Sequence, residues 1–454
     1  MVTIWAEQAL TDSGWQDNVL VEVNEAGRIA SVTTGQAEQT HRVATLLPAP
    51  VNVHSHAFQR AMAGLTERRG PDPRDTFWTW RQLMFRFLDR LTPEDVEAIA
   101  AFVQMEMLEA GYACNAEFHY LHHGVGGVEY ADLAEMSGRI IAAAETSGIG
   151  LTLLPVLYQY GGCDGRALGP GQIRFGNDPE QFGTLWAQVE ALIAGHRADA
   201  VIGVAPHSLR AVSRGGLTEC IAMAGRRPLH MHLAEQLAEV EEVRTYWRRR
   251  PVEHLLEVSE PRSTWCLIHC TQMLPHETVG LAETGAVAGL CPLTESNLGD
   301  GIFDGMRWMD AGGQIAVGSD SNIRIALAEE LRVLDHSQRL RDHSRAAFAT
   351  PEQSTGRRLF EAVTKGGAQA AGRGRGVIAA GEWADLLALD GTHVDLVGRR
   401  GDTVLDAWIF AGDDRMVRDV WAAGRHMVTN GQHLRRDEIT ARYVQTLAGL
   451  RDAL

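Results

Sequence analysis

Apolar and polar residues alternate along IWAEQAL, VLVEVN and RIASVTT, with turn signals at Asp12-Ser13-Gly14 and Glu25-Ala26-Gly27. A period of two predicts half-buried strands, so the chain opens as a small antiparallel sheet. At LLPAPVNVHSH the alternation gives way to a strand that is apolar on both faces. Strand-like and helix-like stretches then take turns. Thr92-Pro93-Glu94-Asp95 carries an N-cap, a proline at the first helical position and acids in the first turn. EDVEAIAAFVQMEMLEAG follows at helical spacing and stops at Gly111. The later strands are NAEFHYLHH, GLTLLPVLYQYGG, AVIGVAPHSLR, RPLHMHLAE, TWCLIHCTQ, GAVAGLCPLTESNLGDG and GQIAVGSDSNIR. Eight such β/α units with mostly apolar strands predict a parallel (β/α)8 barrel of the TIM type.

After Gly376 the text is β-like again, through EWADLLALDG, DAWIFAG and MVRDVWAAGRHMVTNG. The expected layout is a composite β-sandwich from residues 1–47 and 376–440, a catalytic barrel over 48–375, and a C-terminal helix over 441–454. The chain of 454 residues is long enough for both bodies.

Charge and cysteine usage narrow the partners. A net charge of −16 argues against nucleic acid or an anionic membrane as the main partner, while leaving an anionic small molecule open to local arginines. The six cysteines form no CxxC and read as reduced thiols. MVTIWAEQAL lacks a basic n-region, and no apolar run approaches the roughly 18 residues that span a bilayer. The expected location is the cytoplasm.

In a barrel of this kind the chemistry sits at the C-terminal ends of the strands. Strand one ends in His54 and His56; an i, i+2 pair shares one face, as two ligands of one ion must. A lone His-x-His is more often structural, but the other strands keep adding to it. Strand two ends in Glu117, His119, Tyr120, His122 and His123, and strand four in His207, Ser208 and Arg210. Strand five ends in His232 and Glu235, strand six in His269, strand eight in Asp320. His54, His56, His232 and Asp320 fit one divalent zinc or iron with a position left for water. Such water loses its proton near neutral pH, and Asp320 can accept it. Glu235, three residues past His232, is placed to give a proton to a substrate nitrogen. His269 is either a further ligand or the residue that orients the attacking oxygen; orientation is favoured. His230 reads as barrel core, and His119, His122, His123 and Arg248–Arg250 as structural.

VNVHSHAFQ, HMHLAEQ, LIHC and GSDSN resemble the amidohydrolase superfamily, in its deaminase branch, over essentially the whole chain. PHSLR stands where some members keep a metal-bridging lysine, and its lack of lysine implies one metal. HAFQRAMAG, FWTWR, EFHY, APHSLRAV, CPLTESNLGDG and AEELRVLDHSQRL narrow the resemblance to the formimidoylglutamate deiminases. That resemblance implies hydrolysis of N-formimidoyl-L-glutamate to N-formyl-L-glutamate and ammonia in histidine degradation, by a homodimer. It also implies that Gln59, Arg81, Tyr120, His207 and Arg210 hold the substrate, a dicarboxylate amidine. Arginine forks match carboxylates. Gln59 or Tyr120 can equally fix the histidines from behind. The alternatives are an aminohydrolase of the same branch acting on guanine, an S-adenosyl nucleoside or a triazine, and a non-catalytic relative kept as a scaffold.

Overall fold

The structure, a computed structural model, describes residues 2–39, 41–67 and 77–451, and for 77–82 the backbone alone. The opening strands are β1 (Val2–Thr11), β2 (Gly14–Val23), β3 (Ile29–Thr33) and β4 (Arg42–Pro48). The barrel strands are β5 (Val51–Ser55), β6 (Cys114–His119), β7 (Gly150–Leu157), β8 (Val201–Ile202), β9 (Ala205–Pro206), β10 (Leu229–Leu233), β11 (Trp265–His269), β12 (Val287–Leu290) and β13 (Gln314–Val317). Strand four is thus two short pieces, β8 and β9, both paired with β7.

All pairings from β5 to β9 and from β10 to β13 are parallel. Isolated parallel bridges join the two arcs. Val204 pairs with Leu229 and Ser208 with His232 on one side, and Ser55 with Asp320 on the other. The ring closes, as the eight apolar strands require. Helices cover it outside; Pro93–Glu109 starts in the expected capping box, with Thr92 Oγ1 accepting from Asp95 N and the Asp95 carboxylate accepting from Thr92 N.

The tail supplies β14 (Leu386–Leu389), β15 (Val417–Ala422), β16 (Arg425–Thr429) and β17 (Gln432–His433). These join β1–β4 in one eight-stranded sheet of order β17-β16-β15-β14-β4-β1-β2-β3. The two ends of the chain therefore build one body, with a core of its own around Ile4, Val21, Leu46, Leu386 and Trp421. Two parts of the tail differ from the sequence expectation. DAWIFAG lies in a helix, Asp402–Ala411, because Val404, Leu405, Trp408 and Ile409 are buried at helical spacing against the helix Thr355–Ala370. The last helix begins at Arg436, ahead of the expected 441.

A buried ionic cluster ties the terminal sheet to the base of the barrel. Arg373, 1% exposed, donates to Asp385 at 2.6 and 3.0 Å and to Asp199 Oδ2 at 3.0 Å. Arg425 of β16 donates to the same Asp199 carboxylate at 2.6 and 3.1 Å. Replacing Arg373 by methionine leaves the Asp385 carboxylate without its guanidinium and Asp199 with Arg425 alone, and the expected cost is about 3–5 kcal/mol, read as a lower denaturation midpoint. Burial opposes the Asp199 charge, but Arg425 and Arg373 outweigh it and hold the carboxyl at about 2. Its unfolded value lies near 3.9, so its stabilisation is present above about pH 4 and is lost as pH falls toward 2.

Candidate active site

The site is built at one rim of the ring, where the neighbours β5 and β13 end and β10 ends opposite them. His54 Nε2 lies 3.1 Å from His232 Nε2. Asp320 Oδ1 sits 3.5 Å from His54 Nε2 and 3.4 Å from His56 Nε2. The backbone enforces this meeting. Asp320 N donates to His54 O at 2.9 Å and His56 N to Asp320 O at 3.0 Å, with Asp320 itself at φ 48°. Gly318 lets the strands come this close, since a Cβ there would stand 2.5 Å from His54 N.

The outer ring nitrogens are held from behind. His56 Nδ1 donates to Phe118 O and His232 Nδ1 to His207 O, each at 3.1 Å. That leaves Nε2 of both rings turned inward with a lone pair. Burial pushes all three imidazoles down, His56 to about 3, so they are neutral at ordinary pH, as ligands must be. Three neutral nitrogens and one carboxylate, converging within hydrogen-bond to ligand spacing, fit a divalent metal ion.

Glu235 and His269 border the same space. Glu235 Oε1 is 3.8 Å from His269 Nε2, and Asp320 Oδ2 is 3.9 Å from that nitrogen. Burial opposes protonation of His269, but Glu235, Glu295 and Asp320 outweigh it and raise the imidazole to about 10. Burial raises the Asp320 carboxyl to about 7, with His269 pulling the other way. Glu235, His269 and Asp320 thus bring two carboxyls and an imidazole to one space.

A cavity opens from this set. Gln59, Tyr120, His207 and Arg210 all line it together with His56, His232, Glu235, His269 and Asp320. Gln59 Nε2 donates to Tyr120 Oη at 2.8 Å, so this pair forms one wall. Arg210 is 7% exposed; burial opposes its charge, but Glu239 and Glu235 hold it on. Arg81 falls in the helix Phe77–Leu88, and its side chain lies outside the described residues. The histidines expected to be structural lie away from the ligand set or hydrogen-bond to backbone carbonyls. His230 Nε2 donates to Ala370 O, His122 Nε2 to Val156 O and His123 Nε2 to Gly176 O, while His119 is buried beside His122. Arg249 and Arg250 pair with Glu257 and Glu277.

Other parts of the site were not assigned from sequence. Glu117 is buried under the ligands and accepts from Ala57 N at 2.7 Å and Asn115 Nδ2 at 3.0 Å. Met84, Tyr158, Phe175, Leu298 and Ser321 complete the cavity wall. Glu239 accepts from the backbone N–H groups of Ala234 and Glu235, and so fixes the turn that aims Glu235. Its spacing from His232 was the available signal, but a helical Glu four residues past another reads as surface. His207 also does more than line the cavity, because its carbonyl fixes His232.

The comparisons with known proteins bear on this geometry. Residues 45–427 match the model of the amidohydrolase family. The chain belongs to the amidohydrolase family. Residues 1–41 match the formimidoylglutamate deiminase HutF N-terminal domain. This amidohydrolase is 45% identical to a formimidoylglutamate deiminase of Pseudomonas aeruginosa over 100% of both chains. It is similar to the crystal structure of an amidohydrolase from Brucella melitensis, at a TM-score of 0.96 and 44% identity, covering 99% of this chain and 100% of that one. An adenosine deaminase from Xanthomonas campestris with bound zinc shares the fold, at a TM-score of 0.81 and 20% identity over 99% and 98% of the two chains.

One metal per chain is the expected stoichiometry of this amidohydrolase. His269, Cys291 and Glu295 also lie close together, but His269 Nδ1 is 3.2 Å from Glu295 Oε1 as a hydrogen bond, and burial pushes the Cys291 thiol far up. Metal analysis after saturation should give one ion, and His232→Ala should lose it. A second tightly held equivalent would contradict this reading.

Proposed function

We propose that this amidohydrolase catalyses the hydrolytic deimination of N-formimidoyl-L-glutamate, giving N-formyl-L-glutamate and ammonia, in histidine degradation. The observation that carries it is the full-length likeness to a formimidoylglutamate deiminase, joined to a buried arginine lining the cavity beside the acid/base set. His54, His56, His232 and Asp320 would hold the metal, for which zinc is proposed over iron. When bound, the ion supplies the Lewis acidity that makes water a nucleophile near neutral pH.

The protein groups do the rest. Asp320, at the edge of the ligand set, takes the proton that water gives up. His269 orients the attacking oxygen through Nε2, which faces both Asp320 and Glu235. Glu235 then protonates the departing nitrogen, so that ammonia and not an amide ion leaves. Arg210 and Arg81 are proposed to take one carboxylate each, with Tyr120, His207 and Gln59 completing the grip. Glutamate sets its carboxylates several bonds apart, so one guanidinium would not serve both. A cytoplasmic homodimer is part of the proposal and rests on the family resemblance alone; among the described residues no helix is long and apolar enough to cross a membrane.

Rates of ammonia release test the choice of substrate. Buried polar groups built for carboxylates are left unpaired by a neutral base, so kcat/KM for formimidoylglutamate should exceed that for guanine or methylthioadenosine by at least roughly 10³-fold. Comparable values for any of these would favour the broader aminohydrolase reading.

A further inference from the structure

His269 sits at φ 71° at the very end of β11, followed by Cys270 at φ 54°, both in the left-handed region that non-glycine residues seldom adopt. The ring so presented has one nitrogen in the active site and one pointing away from it. Behind it stands Glu295, 5% exposed, in the short helix Pro292–Leu298 that follows β12. Glu295 Oε1 accepts from His269 Nδ1 at 3.2 Å and from Cys291 N at 2.8 Å. The second bond anchors the carboxylate to the start of its own helix, so it is held in place when it meets the imidazole.

We infer that Glu295 is a positioning residue that fixes His269 with Nδ1 protonated and Nε2 aimed at the space between Asp320 and Glu235. An ionised carboxylate only accepts hydrogen bonds, so the ring nitrogen that faces it must carry the hydrogen. Held from behind in this way, the ring keeps Nε2 directed at the space between Asp320 and Glu235, 3.9 and 3.8 Å away, where it orients the attacking water. Without Glu295 the ring loses the carboxylate that holds Nδ1 from behind. Glu295 does not line the cavity, and the active-site side chain it hydrogen-bonds is His269. This inference deepens the proposed function and rests on it for its kinetic arm.

The variants to compare are Glu295→Gln and Glu295→Leu, both as zinc-loaded full-length protein. The glutamine carbonyl can still accept from Nδ1–H and Cys291 N, whereas leucine cannot. Losing an outer partner of this kind typically costs about 10–100-fold, so Leu should lower kcat at least tenfold with KM nearly unchanged, and Gln should stay within roughly threefold of wild type. Metal content should match wild type in both. ¹⁵N resonances of labelled histidine supply a readout free of substrate: Nδ1 of His269 should be protonated in wild type and in the glutamine variant. The inference is overturned by an unprotonated Nδ1 in wild type, by wild-type kcat in the leucine variant, or by equal loss in both variants with metal intact. If Glu295→Leu fails to fold, the wild-type resonances and the glutamine variant still decide. Failure of wild type to release ammonia from formimidoylglutamate would overturn the substrate assignment and leave the nitrogen resonances as the test of Glu295.

Discussion

Glu235→Gln should lower kcat by roughly 10²–10⁴-fold, the range for a positioned proton-transfer group, while metal content stays at the wild-type level. Glutamine keeps the shape of the side chain and cannot give up a carboxyl proton. The backbone around it is held independently of the carboxyl. Glu235 N donates to Glu239 Oε2 at 2.9 Å, and Thr271 Oγ1 donates to Glu235 O at 2.7 Å. The turn should therefore survive the substitution, and with it His232 three residues earlier. The carboxyl reaches His269 and none of the four proposed ligands within ion-pair distance among the described residues. A variant that turns over like wild type would show that the leaving nitrogen gets its proton from elsewhere, and a variant that loses its metal would show that Glu235 serves the ligand set.

The second large effect is expected at Arg210. A carboxylate brought into a partly closed cavity needs a charged, forked partner, or its desolvation is uncompensated. Arg210→Met removes that partner from a wall already made of Gln59, Tyr120 and His207. The expected loss in kcat/KM is about 2–5 kcal/mol, the cost of breaking a buried charge pair, which is roughly 30- to 5,000-fold. Lysine should recover only part of it, for want of the fork. Glu239 and Glu235 lie close enough to sustain the Arg210 charge, so its removal also leaves those acids less compensated. A monocarboxylate amidine separates the two effects. If the loss is substrate recognition, Arg210→Met should hurt the dicarboxylate far more than an analogue that lacks the carboxylate Arg210 holds. Equal loss on both would assign Arg210 to the acid/base set.

Much of this site could be read from strand ends, and the reason is geometric. Alternation puts His54 of β5 and His56, one residue past its end, on one side, and the ring of strands then brings His232, His269 and Asp320 to the same rim. Residues whose role depends on where one strand stops were therefore legible. Those that act through helices and loops were not. Glu295 sits in a helix of seven residues, and Glu239 is a helical acid that would ordinarily face water. The role of the His207 carbonyl is a backbone matter that no side-chain pattern reveals. In the tail, DAWIFAG was ambiguous because a short apolar run suits a buried strand or a buried helix equally well, and the partner helix Thr355–Ala370 decided it.

The most direct test of the central claim is to identify the products of formimidoylglutamate turnover in ¹⁸O-labelled water. Hydrolytic deimination exchanges the C=NH nitrogen for an oxygen from water and leaves the bond to glutamate intact. The account predicts N-formyl-L-glutamate carrying one ¹⁸O in its formyl group, with one ammonia released per turnover. Glutamate and formamide as the products, or no turnover by the fully metal-loaded protein, would contradict it.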